Sequence, residues 1–148
     1  MLFRTAQRSD LPAIVALLSS DDEVIDAAAV EVHEGHAHGF DAVDADERNE
    51  MLVLAERDGT VVAYLQVTYI PGVGRLGAER ALIEGVRVRA DRRGAGLGRD
   101  LLGRAIERAR ARGCTLVALT SNKRRTEAHR FYRALGFVAS HEGFRLQI

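Results

Sequence analysis

Apolar residues recur along this chain with two different periods, one typical of strands and the other of helices. Runs suited to strands lie at residues 2–7, 51–56, 60–70, 81–89, 114–120, 137–140 and 143–148. Stripes with helical spacing lie at residues 11–18, 97–109 and 128–135. The interleaving of the two patterns predicts an α/β fold in which helices cover a sheet.

Glycines mark the predicted turns and one irregular point within a strand. Asp58-Gly59 separates two apolar runs, which predicts a β-hairpin. Gly85 stands inside the run at 81–89, where a glycine predicts a bulge or the close approach of another chain or ligand. A helix over residues 96–112, ended by Gly113, would be about 25 Å long. A helix of that length can carry the chain back along the preceding strand, so that the next strand runs parallel to the first. The sequence therefore predicts a right-handed β-α-β crossover.

The remaining N-terminal part gives weaker signals. Ser9 and Asp10 predict the N-cap of the helix that begins at Leu11. Within residues 21–46 we predict helix around 26–32 and irregular structure around 34–46. This segment is expected to be variable and to face the substrate.

Length and composition favour one soluble domain. The chain has 148 residues, of which 47% are hydrophobic, which is enough for an ordinary core. It contains no apolar run of about 18 residues, and charges occupy the N-terminal stretch that a signal peptide needs to be apolar. We therefore expect a cytoplasmic protein. Cys114, the single cysteine, is expected to be a buried structural residue.

The charges balance at 21 basic and 21 acidic residues, which argues against general nucleic-acid binding. Their distribution is uneven, because residues 21–50 hold eleven acidic residues and one basic residue, whereas residues 75–133 hold sixteen basic and six acidic ones. Both regions are compatible with solvated helix faces. The alternative is that the basic region faces an anionic ligand and the acidic region attracts a cationic one.

A glycine-rich loop, Arg93-Gly94-Ala95-Gly96-Leu97-Gly98, lies between a predicted strand and a predicted helix. The dinucleotide fingerprint G-x-G-x-x-G does not fit, because the third glycine comes one position early. A P-loop does not fit either, because Arg99 stands where that motif requires lysine. What remains is a phosphate site formed by backbone amides at a helix N-terminus, with Arg92, Arg93 and Arg99 adding positive charge.

The loop resembles the pattern Gln/Arg-x-x-Gly-x-Gly/Ala, which marks the acetyl-CoA pyrophosphate loop of the GNAT superfamily of N-acetyltransferases. Residues 121–137 resemble the family's C-terminal helix motif through Asn122, Ala128, Phe131-Tyr132 and Gly136-Phe137. The resemblance covers essentially the whole chain and is weakest at residues 21–46. It implies one N-acetyltransferase domain over residues 1–148, with a mixed, mostly antiparallel sheet of six to seven strands. It also implies acetyl-CoA as co-substrate, direct attack by a primary amine, and no metal.

By the same resemblance, the pantetheine arm lies between splayed parallel strands at residues 82–89 and 116–120. Tyr132 is the implied general acid for the coenzyme A thiolate, although its spacing also fits a core aromatic on one helical face. The implied cofactor-binding residues are Val86, Arg87 and Val88 on the strand, Arg93, Gly94, Ala95, Gly96, Leu97, Gly98 and Arg99 in the loop, and Asn122 beyond it.

The amine acceptor needs a base, because deprotonating an alkyl amine at pH 7 costs about 4 to 5 kcal/mol. Glu84, beside the expected acetyl group, is the best candidate, acting directly or through water. The alternative is an ordinary strand carboxylate paired with Arg87 or Arg80. His129 and His141 are weaker candidates for the base.

The acceptor itself stays open between several classes. The C-terminal third resembles aminoalkylphosphonate N-acetyltransferases, whereas the acidic segment favours a cationic amine such as a polyamine. His33, His36 and His38 either line the acceptor pocket or supply metal ligands. We expect a small-molecule amine as partner, with no nucleic acid and no membrane, and leave a homodimer open. A protein or peptide amine, or a non-catalytic acyl-CoA-binding module, are the alternatives.

Overall fold

The computed structural model describes residues 1–148 and contains one sheet flanked by helices. Its strands are β1 (Leu2–Thr5), β2 (Asn49–Ala55), β3 (Val61–Ile70), β4 (Arg80–Val88) and β5 (Val117–Leu119), and its helices are α1 (Leu11–Ser19), α2 (Glu34–Asp44), α3 (Leu97–Arg112) and α4 (Thr126–Ala134). The sheet order follows the chain order, and the pairings from β1 to β4 are antiparallel. The chain divides into two compact units, Met1–Ala118 and Leu119–Ile148. The α/β class is confirmed, with five strands instead of six or seven.

The two strands predicted at the C-terminus do not form. Residues 137–148 belong to no helix or strand, and Val138, Phe144, Leu146 and Ile148 are exposed. The alternating pattern indicates strand propensity. A strand also needs a neighbouring strand to pair with, and the sequence pattern does not show whether one is present.

The structure reverses our expectation for residues 26–46. Residues 26–32 form no helix: only 27–29 make a turn, and the Asp26 carboxylate accepts a hydrogen bond from the Ala28 amide at 2.9 Å. Helix α2 begins instead at Glu34, after His33 as N-cap. The His36 Nδ1 atom accepts a hydrogen bond from the His33 amide at 3.0 Å, which satisfies one backbone donor at the helix start. A helix cap formed by histidine side chains cannot be recognised from the pattern of apolar residues, which is why the start of this helix was not predicted.

The predicted hairpin between β2 and β3 is confirmed. Gly59 has a φ of +92°, and the Asp58 carboxylate accepts a hydrogen bond from the Thr60 amide at 2.9 Å. Glycine and aspartate are therefore used for the reasons that make them frequent in tight turns.

Helices α1 and α2 cover one face of the sheet. Ile14, Leu17 and Phe40 are buried there against Val53 and Tyr64. Asp10 occupies the N-cap position of α1 but makes no capping bond into that helix, contrary to expectation.

The Asp10 carboxylate instead forms a bidentate ion pair with Arg4, with distances of 2.6 and 3.0 Å. Burial raises the pKa of Asp10, but hydrogen bonds from Arg4 and from the Gln7 amide outweigh that effect and leave the pKa below its ordinary value. The side chain thus fastens β1 to the start of α1.

Helix α3 covers the opposite face and connects β4 to β5. Leu101, Leu102 and Ala105 are fully buried, and Gly113 ends the helix with a φ of +98°. The Ala81 amide donates to the Leu116 carbonyl at 2.9 Å, just before β5 begins. A helical crossover between neighbouring strands is the connection that parallel pairing requires. The predicted helical connection between two neighbouring strands is confirmed.

A charged network on this face attaches α3 to the sheet. Arg108 donates to both Glu50 carboxylate oxygens, at 2.6 and 2.8 Å, and the Tyr69 hydroxyl donates to Glu50 Oε2 at 2.8 Å. The Arg112 guanidinium lies 4.1 Å from the centre of the Tyr69 ring. The Arg108 hydrogen bond is the main reason that the pKa of Glu50 lies below its ordinary value. Because Tyr69 is buried and Glu50 is largely covered, these groups are costly to leave unpaired, and the hydrogen bonds from Arg108 to Glu50 help to hold α3 in place.

We expect Glu50→Gln to lower the free energy of unfolding by about 2 kcal/mol, since a charge-assisted hydrogen-bond pair is lost while Arg108 stays in place. Wild-type stability from Glu50 is present above the unfolded pKa of about 4.3 and is lost as pH falls through the lower folded pKa. Urea unfolding at pH 7 and pH 3 measures both effects, and the variant's deficit shrinks at pH 3. Glu107→Gln, which removes an exposed ion pair with Arg110, is the matched control and changes stability by at most about 0.5 kcal/mol. Equal effects of the two substitutions would contradict this account.

Candidate active site

The glycine loop opens at the N-terminus of α3, as the sequence predicts. A short 3-10 turn, Ala90–Arg92, follows β4, and Gly94 and Gly96 then adopt φ values of +80° and +79°. A residue with a side chain would be strained in this left-handed conformation, so the backbone of the loop depends on the two glycines. No atom outside the loop lies within 4 Å of a Cβ built on either glycine. The loop therefore borders open space.

The backbone amides of this loop are available to a ligand. The first amide after Arg93 to donate within the protein is that of Asp100, which bonds to the Gly96 carbonyl at 3.0 Å. The amides of residues 94–99 donate to no other oxygen of the chain. Several unpaired N–H groups at the positive end of a sixteen-residue helix form a site suited to a phosphate or diphosphate.

The three arginines of this region have different surroundings. Arg92 pairs with Glu56 at 2.7 Å, and Arg93 donates to the Val88 carbonyl at 3.3 Å. Arg99 makes no ion pair with the chain and borders an open groove along α3. Arg99 is thus the arginine of the loop whose charge is least compensated.

Strand β4 carries the predicted bulge at Gly85. Across β3 and β4, Tyr64 lies opposite Arg87 and Gln66 lies opposite Glu84, so two residues of β4 face the single residue between Tyr64 and Gln66. Gly85 has a φ of +65°, and a Cβ built on it would lie 3.3 Å from Tyr64 Cε1 and 3.6 Å from Leu18 Cδ2. The positive φ favours glycine here, and a Cβ would crowd the Tyr64 ring.

Tyr64 is a residue of this region that the sequence analysis did not identify. Its side chain is 4% exposed and lies against the bulge. Burial, with the nearby negative charge of Glu84, raises its pKa to about 12, so the hydroxyl is protonated at neutral pH. A tyrosine in an alternating strand looks like an ordinary core residue, and only the register across the bulge reveals its neighbours.

Glu84 is exposed and does not pair with Arg87 or Arg80, which were its predicted partners in the alternative interpretation. Arg87 pairs with Asp21 instead, with Nε 3.1 Å from Oδ1. Glu84 thus remains a carboxylate without a cationic partner next to the bulge, which leaves it available as a base.

The strand residues expected to contact pantetheine are half-buried. The Val86 carbonyl accepts a hydrogen bond from Arg87 Nη1 at 3.0 Å, and the Val88 carbonyl accepts one from Arg93. Each carbonyl oxygen retains a second lone pair for a ligand N–H. The arginines therefore orient these groups without removing their capacity to accept.

The second unit holds the remaining predicted residues. Asn122 Oδ1 accepts a hydrogen bond from the Arg124 amide at 2.9 Å, which leaves the side-chain NH₂ group to act as a donor. Tyr132 is 9% exposed and contacts the Phe131 and Phe137 rings, with centroids 5.3 and 5.9 Å away. Tyr132 is thus packed as a core aromatic, and its role as an acid remains a prediction.

The remaining candidates outside the loop have structural explanations. No group of three or more metal-ligating side chains gathers around His33, His36 and His38, and His36 is engaged in the helix cap. Cys114 is half-buried, where the sequence predicts a buried residue. Burial still raises the pKa of its thiol, which keeps it in the less reactive protonated form.

Comparison with known proteins shows to which protein family this chain belongs. The family model described as Acetyltransferase (GNAT) family matches residues 12–137. The chain therefore belongs to the GNAT acetyltransferase family. A search of curated proteins gave no match. None of the helices is long and apolar enough to cross a membrane.

Solved structures agree with this assignment over the full length. A transcriptional regulator from Bacillus halodurans C-125 is 39% identical, with 99% of each chain covered and a TM-score of 0.88. An acetyltransferase from Trypanosoma brucei is 26% identical, with 99% of each chain covered and a TM-score of 0.82. Glucosamine-6-phosphate N-acetyltransferase from Arabidopsis thaliana shares the fold at 20% identity, with a TM-score of 0.76 and 99% and 96% of the two chains covered.

We expect Gly85→Ala to destabilise the protein by about 1 to 2 kcal/mol, because alanine is strained at positive φ and its Cβ crowds Tyr64. The free energy of unfolding in urea measures the change. Gly103→Ala is the control, because Gly103 lies in α3 with open space around its Cβ, and there alanine stabilises by about 0.5 to 1 kcal/mol. If Gly85→Ala were also neutral or stabilising, the bulge geometry described here would be wrong.

Proposed function

We propose that this protein is an acetyl-CoA-dependent N-acetyltransferase that transfers the acetyl group to a primary amine of a small molecule. The observation that carries the proposal is the open loop at the start of α3, where the amides of residues 94–99 are unpaired beside Arg99. A diphosphate is the group that such a cradle fits, and members of this family use acetyl-CoA.

The strand residues supply the next part of the proposed site. Val86 and Val88 offer carbonyl oxygens to the pantetheine amides, and their spacing of two residues matches the repeat of a strand. Asn122 supplies a side-chain donor to the same arm. A backbone amide at the bulge donates to the acetyl oxygen and stabilises the oxyanion that forms there.

The chemistry follows from the uncompensated carboxylate. Glu84 takes a proton from the acceptor ammonium, directly or through a water molecule, and so provides the neutral nucleophile. The amine nitrogen forms a bond to the acetyl carbon as the carbon–sulfur bond breaks. Tyr132 donates its phenolic proton to the departing thiolate. The second proton that the nitrogen loses on becoming an amide returns Tyr132 to the phenol, Glu84 gives its proton to solvent, and the acetylated amine and free coenzyme A leave.

Two alternatives make different predictions from the same site. A protein or peptide acetyltransferase would act on N-terminal or lysine amines and leave small amines untouched. A non-catalytic module would bind acetyl-CoA and release no thiol with any acceptor. The unpaired carboxylate of Glu84 beside the bulge favours an enzyme, because a ligand-binding role for acetyl-CoA needs no base there.

We expect coenzyme A thiol release when the protein is incubated with acetyl-CoA and a panel of small amines. Glu84→Gln and Tyr132→Phe each lower kcat by about 100-fold or more, because each removes a proton-transfer group. Glu107→Gln lies on the exposed face of α3 and serves as the control with wild-type turnover.

Turnover of lysine-containing peptides alone would support the protein acetyltransferase. Binding of acetyl-CoA by calorimetry without any thiol release would support the module. Either result would contradict the proposal.

A further inference from the structure

The bulge at Gly85 changes which face of the sheet the residues of β4 occupy. In a regular strand, residues three apart point to opposite faces, so Glu84 and Arg87 would be separated by the sheet. The extra residue of the bulge shifts the alternation by one. Because Glu84 lies opposite Gln66 and Arg87 lies opposite Tyr64, two residues apart on β3, Glu84 and Arg87 share one face.

This face is the one covered by α1. Tyr64 belongs to the buried cluster that includes Ile14 and Leu17, and its ring approaches Gly85 together with Leu18. A carboxylate and a guanidinium thus lie on one side of the sheet, and the Tyr64 ring packs against the glycine that follows Glu84. At about 3.3 Å per residue their Cα atoms are at most about 10 Å apart, and both side chains are long.

Arg87 retains hydrogen-bonding capacity on this face. Nη1 donates to the Val86 carbonyl, and Nε is buried, 3.1 Å from Asp21 Oδ1, without the alignment of a hydrogen bond. The Arg87 side chain is 23% exposed, whereas that of Asp21 is 52% exposed. The edge formed by Nε and Nη2 is the one that binds carboxylates and phosphates in bidentate geometry. Asp21 lies on the solvent side of this edge of Arg87. Because the Asp21 carboxylate is exposed, the anion of a ligand can take its place.

Four of the eleven acidic residues of segment 21–50 are paired with arginines within the fold. Asp21, Asp22, Asp41 and Glu50 each form an ion pair with an arginine. Part of the negative charge counted in the sequence is therefore neutralised within the fold.

We infer that the acceptor is a small primary amine that carries an anionic group on a short chain, with its ammonium at Glu84 and its anion at Arg87. This inference rests on the proposed acetyltransferase function and specifies the substrate of the same site. A carboxylate, phosphonate or phosphate supplies the anion in the same way.

The test compares amines of matched chain length with and without the anion. Thiol release is measured with 3-aminopropanoate against propylamine, and with 2-aminoethylphosphonate against ethylamine, with 1,4-diaminobutane as the cationic case. We expect kcat/KM to be at least about tenfold higher for the anionic member of one or both pairs. The pair with the larger ratio tells whether the anion is a carboxylate or a phosphonate.

Two substitutions then test the residues. Arg87→Gln lowers the anionic-to-neutral ratio of kcat/KM about tenfold, and the ratio cancels any effect on coenzyme A, which both reactions share. Asp21→Asn lowers the KM of the anionic amine, because a competing carboxylate is removed. Arg80→Gln, an exposed arginine at the start of β4, leaves the ratio unchanged and is the control.

The outcomes separate this inference from the proposed function. Equal or better turnover of the neutral amines or of diaminobutane would overturn the inference while leaving the acetyltransferase intact. A ratio that Arg87→Gln and Arg80→Gln change equally would also overturn it. Absence of thiol release with every amine would overturn both.

Discussion

The close contact between Gly85 and the Tyr64 ring is the constraint on which the proposed site depends. A positive φ at Gly85 lets β4 carry one more residue than β3 opposes, and the buried tyrosine would crowd a Cβ on residue 85. A bulge bends and twists the strand that carries it. The same extra residue places Glu84 and Arg87 on one face of the sheet. The arrangement of the proposed reactive groups therefore follows from the backbone conformation at Gly85.

The glycine loop depends on a second constraint, the fixed position of α3. The loop keeps its position beside the end of β4 only if the helix that follows it is held against the sheet. Buried leucines supply most of that attachment through apolar burial. The network of Glu50, Tyr69 and Arg108 adds directional bonds in the C-terminal part of the helix. In the proposed site the two tasks are separate, with α3 presenting the loop and β4 presenting Glu84 and Arg87.

Features that depend on local conformation were predictable from the sequence. Asp58-Gly59, Gly85 and Gly113 each require or favour positive φ, and each occupies the turn, bulge or helix end that its position predicts. The loop around Gly94 and Gly96 was predictable for the same reason.

Features that depend on a partner elsewhere in the chain were not predictable. The helix at residues 34–44 relies on a cap made by His33 and His36, while the apolar residues at 143–148 find no neighbouring strand. Only the register across the bulge shows that Tyr64 lies beside Gly85 and opposite Arg87. The ion pair between Arg87 and Asp21 joins two segments whose proximity cannot be predicted from their separation in the sequence.

The central claim is that the loop at the start of α3 binds the diphosphate of coenzyme A through its backbone amides. The most direct measurement is a titration of ¹⁵N-labelled protein with coenzyme A, followed by amide chemical shifts. The account predicts that the largest changes occur at residues 94–99, with the Gly94 and Gly96 amides among them. Saturating coenzyme A that leaves these amides unchanged and shifts those along the outer groove of α3, near Phe3 and Arg104, would contradict it.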